Sequence, residues 1–167
     1  QPPSPPRPAG AVRLCVSDPA RRLSAAQLAF LRDAGARALE ALRPAGPGGE
    51  VRARIIGDRE MADLHARTLG DPATTDVLTF DLAGEPSAPL DVDLALCADE
   101  ARRQASARGG AVEHELLLYL VHGALHCMGF DDRDDAGARA MHQKEDEVLR
   151  AVGVGPVFAP PGAGARP

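Results

Sequence analysis

Two histidines four residues apart, His122 and His126, stand in the stretch HGALHCMGFDD, ahead of Gly129 and the pair Asp131 and Asp132. On a helix, residues at i and i+4 share one face about 6 Å apart, so both imidazoles can offer a ring nitrogen to one small cation. Gly129 can take the left-handed conformation that ends a helix, and the chain then returns Asp131 or Asp132 over the open edge of the pair. A carboxylate oxygen would complete three ligands and leave a fourth position to water, the pattern of catalytic rather than structural zinc. The alternative is a pair of hydrogen-bonded core histidines with no ion between them. Gly123 occupies the place held by the glutamate base in the zinc-protease pattern H-E-x-x-H, so peptidase chemistry lacks its proton acceptor.

Those residues resemble the signature H-G-x-L-H-x-x-G-[YF]-D-H of the YbeY endoribonucleases, bacterial metal-dependent enzymes of ribosomal RNA maturation and ribosome quality control. His122, Gly123, Leu125, His126, Gly129, Phe130 and Asp131 match it at the right spacing. The final position departs from it, because Asp132 stands where the family has a third histidine. The resemblance therefore implies His122, His126 and Asp132 as the ligands of Zn²⁺, with a carboxylate that makes the ion a weaker Lewis acid. His142 is the reserve ligand should Asp132 point away.

Thr75 to Phe80 resembles the family's T-D-V-L-S-F strand. Leu90 to Cys97 resembles its L-G-D-I-V-I-C strand, with Asp93 at the aspartate and Val92 replacing the glycine. Leu69 falls where the family carries a functional arginine, and Arg67, two positions earlier, is the candidate substitute; an ordinary exposed helix-end arginine is the alternative. Asp131 is a second catalytic candidate, orienting a ligand or accepting a proton, against a plain turn-forming role. The likeness covers Val12 to Val152. It implies a zinc-dependent, single-strand-specific endoribonuclease acting on ribosomal RNA, with the ribosome or small-subunit-associated proteins as partners. Either the ribose 2′-hydroxyl attacks its own phosphate or zinc-activated water does. The rival readings are a non-catalytic ribosome-associated factor and another metal hydrolase such as a peptidase.

The elements that must carry these residues follow from pattern. Ala11 to Val16 reads as a first strand, and Ser24 caps a helix with apolar Leu28, Leu31, Ala38 and Leu42 on one face. Pro44 to Gly49 breaks that helix. Val51 to Ile56 is a second strand, Asp58 caps a short helix through Leu69, and strands at Val77 to Phe80 and Val92 to Leu96 follow. A helix near Asp99 to Ala107, an almost wholly apolar one from Val112 to about Met128, and a last one from Asp135 to Val152 complete a single α+β domain. Its expected form is about four strands in a mixed sheet packed with about five helices, with the metal site on a buried central helix.

A chain of 167 residues, 44% apolar, can bury one core, and no run approaches the roughly 20 apolar residues of a membrane span. Residues 1–10 and 154–167, rich in Pro, Gly and Ala, read as disordered tails around a domain at 11–153. The absence of an initiating Met leads us to expect a trimmed amino terminus. Three scattered cysteines suggest neither a disulfide framework nor a cysteine-rich zinc module and fit a reducing cytoplasm. Cys127 adjoins His126, yet one helical step turns its sulfur away from the histidine face. The net charge of −5 disfavours a protein that coats nucleic acid. Arg52, Arg54, Arg59 and Arg67, with Arg102, Arg103 and Arg108, form either a local basic groove or solvated helix faces.

Overall fold

Strands β1 (Val12–Ser17), β2 (Gly49–Ile56), β3 (Val77–Asp81) and β4 (Leu90–Cys97) alternate with helices α1 (Ala25–Leu42) and α2 (Asp58–Leu69), and α3 (Ala98–Arg108), α4 (Val112–Cys127) and α5 (Asp135–Ala151) follow. This is a computed structural model, and it describes residues 10–43, 46–70, 75–85, 87–155 and 157. Most of both expected tails thus lies outside the described residues. The sheet runs in the order β1-β2-β4-β3. β1, β2 and β4 are parallel and β3 joins β4 antiparallel, so the α+β domain with a four-stranded mixed sheet and five helices is what forms. A parallel pair needs a crossover, and α1 supplies it between β1 and β2.

Local signals set the helix ends. Ser24 accepts from the Gln27 N–H at 3.1 Å while the Gln27 side chain accepts from the Ser24 N–H at 2.9 Å, a reciprocal capping box at the start of α1. The start of α2 differs from expectation. Gly57 occupies the cap position and Asp58 is the first helical residue, with no cap of its own. Instead Asp99 Oδ2 accepts from the Asp58 N–H at 2.8 Å, and the Asp58 carboxylate takes two bonds from Arg103 at 2.7 and 2.8 Å. The first turn of α2 is fastened to α3 by residues some forty positions away.

The core lies between the sheet and α1, α4 and α5. Val92, Leu94 and Leu96 of β4 face Leu31 and Leu39 of α1 and Leu116, Leu117, Leu120 and Leu125 of α4, all buried. On the opposite sheet face Ile56, Leu78, Ala95 and Cys97 form a smaller cluster with Met61 of α2. The rest of that face is charged. Arg52 sits between Asp91 and Asp93 at 2.5 Å from each, and Arg54 pairs with Glu60 at 2.9 Å. With Arg102, Arg103 and Arg108 also in ion pairs, the arginine clusters of the sequence are largely neutralised surface and not a free basic groove.

α4 presses closely on the sheet at Gly123. A β-carbon there would lie 2.8 Å from Leu94 Cδ2, 3.0 Å from Thr79 Oγ1 and 3.3 Å from Val77 Cγ2. The position that holds a glutamate in zinc peptidases therefore faces the sheet and has no room for a side chain. Gly123→Ala is expected to lower stability by about 1–3 kcal/mol through overpacking, read from the urea midpoint of unfolding.

Candidate metal centre

The end of α4 builds the site. Gly129 adopts φ +94°, its N–H bonds to the His126 carbonyl at 3.2 Å, and the Phe130 N–H reaches the Leu125 carbonyl at 3.1 Å. This pair of bonds is a Schellman motif, and it turns the chain back across the last turn of the helix. Asp134 then caps α5, accepting from the Gly137 N–H at 2.6 Å. Between these two fixed points a short loop carries Asp132 over the histidines.

His122 Nε2 and His126 Nε2 are 3.1 Å apart, and the Asp132 carboxylate oxygens lie 3.6 Å from the first and 3.8 Å from the second. A tetrahedral zinc with bonds of about 2.0–2.1 Å spaces its ligand atoms by about 3.3–3.4 Å, and these three residues each bring one ligand atom within 4.8 Å of the others. The three residues form the only such ligand group among the described residues. Asp132 and His126 keep 41% and 34% of their side-chain surface exposed, so the group is open to a substrate.

Behind His122 stands a residue that sequence reasoning missed. Glu145 of α5 is 1% exposed and accepts from His122 Nδ1 at 2.5 Å, while its other oxygen lies 3.2 Å from His142 Nδ1. A proton held on Nδ1 leaves Nε2 bare and aimed at the ion position, the usual task of a carboxylate behind a metal-bound histidine. Burial opposes charge on His122, but the Glu145 hydrogen bond and the fields of Glu145, Asp76 and Asp132 raise its pKa above the ordinary imidazole range. The field that favours imidazolium favours a divalent cation at the same spot. A signal was present in the sequence, since Met141, Glu145, Val148 and Leu149 form the buried stripe of α5, and a lone acid on such a stripe needs a partner.

The other candidates lie apart from the three ligands. Asp131 turns its carboxylate onto Arg133, accepting from the backbone N–H at 3.0 Å and from Nε at 2.6 Å, and Arg133 holds it below the usual carboxylate range. Arg67 is exposed on the last turn of α2, as is Leu69 after it. His142 meets Glu145 through Nδ1 at 3.2 Å and is not one of the three grouped ligand residues. Cys127 packs against the core, and burial, with Asp81 nearby, pushes its thiol up to about 12, which keeps it protonated and unsuited to ligation. Asp93 faces Arg52 on the sheet side away from α4.

One tight contact supports the ligand loop. A β-carbon at Gly137 would lie 2.1 Å from the Asp131 carbonyl oxygen and 2.9 Å from Asp134 Oδ1. Gly137→Ala must therefore displace the loop that carries Asp132. We expect metal affinity to fall about tenfold, measured by competition with a chromogenic chelator, with little change in helix content.

Two cavities flank the ligands. One of about 380 Å³ opens against His122 and Glu145, and another of about 660 Å³ opens against His126 and Phe130. The arrangement suits an extended substrate whose reacting bond lies at the ion, with room for a group on either side.

The model of the family described as Endoribonuclease YbeY matches residues 22–153. A protein of that name from Anaeromyxobacter sp. (strain Fw109-5) is 40% identical over 144 residues, covering 86% of this chain and 72% of that protein. Another, from Halorhodospira halophila, is 35% identical over 79% of this chain and 96% of its own length. The solution structure of a Thermotoga maritima protein, 22% identical, superposes with a TM-score of 0.54 over 84% of this chain and 88% of that one, a likeness of fold. With the matched model spanning most of the domain and relatives of that name up to 40% identical, the chain belongs to the endoribonuclease YbeY family.

Proposed function

We propose that this protein is a zinc-dependent endoribonuclease that cuts single-stranded RNA, acting in the cytoplasm on ribosomal RNA during its maturation and in ribosome quality control, together with ribosome or small-subunit-associated proteins. The observation that carries the reading is the His122, His126 and Asp132 group, two nitrogens and a carboxylate at 3.1–3.8 Å, open to solvent between two cavities in a chain of an endoribonuclease family. Zinc bound there supplies a Lewis acid that polarises a phosphodiester oxygen and acidifies water. The chain's own part is to hold His122 in one tautomer through Glu145 and to keep Asp132 over the pair. Asp131 enters as the residue that fixes this loop through Arg133, and Arg67 as an exposed cation for substrate phosphate.

Other features agree with this setting. No helix among the described residues is long and apolar enough to cross a membrane. Cys15, Cys97 and Cys127 are all free thiols, which fits a reducing compartment. The test is cleavage of one labelled RNA presented single-stranded and as a duplex, by protein stripped with a chelator and then resupplied with zinc or with magnesium alone. We expect the stripped protein to be inactive, zinc to restore cleavage of the single strand, and the duplex to be spared. Full activity in the presence of chelator would contradict the proposal.

A further inference from the structure

Resting on the endoribonuclease reading, we infer that the cavity against His122 is a base pocket for the nucleotide adjoining the cut, and that it selects a base with an exocyclic amino group, cytosine, adenine or guanine, over uracil. Its place gives the first reason. His122 and Glu145 form part of its wall, so a nucleotide whose phosphate reaches the ion position has its base beside this cavity. At about 380 Å³ it is of the size range in which small ligands bind.

The charge of the walls says what the occupant is not. Asp76, Glu100 and Glu145 face it together with Arg108 and His142, and Arg108 is engaged at 3.1 and 3.2 Å by the buried carboxylate of Glu115. A phosphate would meet net negative surface there. A second metal ion is not favoured either, since the described residues bring together no other group of three ligand atoms.

The unspent hydrogen-bonding groups say what it is. Glu100 is engaged, with one oxygen on Gln104 at 2.8 Å and the other on Arg103 at 2.7 and 3.1 Å. Asp76 uses Oδ1 for the Val77 N–H at 2.8 Å and the Thr75 hydroxyl at 3.3 Å, which leaves Oδ2 to accept from a ligand. Gln104 donates through Nε2 and keeps its carbonyl oxygen. Tyr119, 3% exposed, turns its covered hydroxyl toward Glu115 and offers nothing to a ligand. Two acceptors, one of them charged, match a Watson–Crick edge that carries an exocyclic amino group. Unpaired bases in single-stranded RNA are read on that edge in this way. Uracil has no amino group and presents a carbonyl in its place, which the two acceptors repel.

The experiment uses the zinc-loaded full chain and a single-stranded RNA pool of randomised sequence, with both ends of every break sequenced. At one of the two nucleotides flanking the break, uridine is expected to be depleted about tenfold relative to cytosine, the worth of one hydrogen bond to a charged acceptor. Asp76→Asn keeps an oxygen for the Val77 N–H and puts an amide donor where Oδ2 was, so the preference should move toward uridine. Gln104→Met removes the second acceptor on a helix surface where folding is not at stake, and should shrink the preference to about threefold. Breaks indifferent to base, or a preference unchanged in both variants, would overturn the pocket while leaving the endoribonuclease reading intact. An absence of any break by the wild-type chain would overturn that reading, and the pocket with it.

Discussion

Replacing His122 by alanine is expected to abolish RNA cleavage and to weaken the fold, whereas replacing His126 abolishes cleavage with little cost in stability. Each change removes one of the three proposed ligands, and we expect each to reduce the rate by at least about a thousandfold. The stability difference follows from what stands behind each ring. His122 is the hydrogen-bond partner of Glu145, which is 1% exposed, and without it the buried carboxylate keeps only the 3.2 Å contact to His142. Stranding one member of a buried charged pair costs about 3 kcal/mol or more. The His126 side chain is 34% exposed and, among the described residues, has its polar contacts at His122 and Asp132, so its loss strands no buried charge. Thermal unfolding of the three metal-free proteins separates the cases. Equal melting temperatures for the two variants would show that Glu145 does not depend on His122.

The second large effect is expected at Glu145 itself. Glu145→Gln preserves size and one acceptor oxygen but removes the charge that holds the His122 proton on Nδ1. The amide can also present its N–H to Nδ1, which moves the ring proton to Nε2 and points it at the ion position. Partners of this kind typically contribute 10- to 100-fold in metal affinity, and we expect about that loss for zinc in a chelator competition. The melting temperature without metal should move much less than in His122→Ala, since the glutamine carries no buried charge. Unchanged zinc affinity would place Glu145 among the structural residues of α5.

What could be read in the sequence is what is local. The Ser24 box, the glycine stop at Gly129 and the apolar run of α4 each depend on residues within a few positions, and all three form as expected. The i, i+4 pair of histidines is local too, and a short loop between two caps brings Asp132 to it. What could not be read depends on pairing across the fold. Asp58 looked like a cap because it starts a helix, but its carboxylate goes to Arg103 and its N–H to Asp99. The role of Glu145 emerges only when α5 packs against α4 and brings it to His122. Gly123 shows the same limit from the other side, for the pattern said only that a base was missing, and the packing of α4 on Leu94 and Thr79 says why a side chain cannot stand there.

His122, His126 and Asp132 are proposed to hold the ion with which this chain cuts RNA. The most direct test is the cleavage of a labelled single-stranded RNA by wild-type protein beside His126→Ala, purified identically and each assayed with zinc and with chelator. We predict cleavage only by the zinc-loaded wild type. Equal cleavage by the two proteins, or cleavage by wild type that survives chelation, would contradict the account.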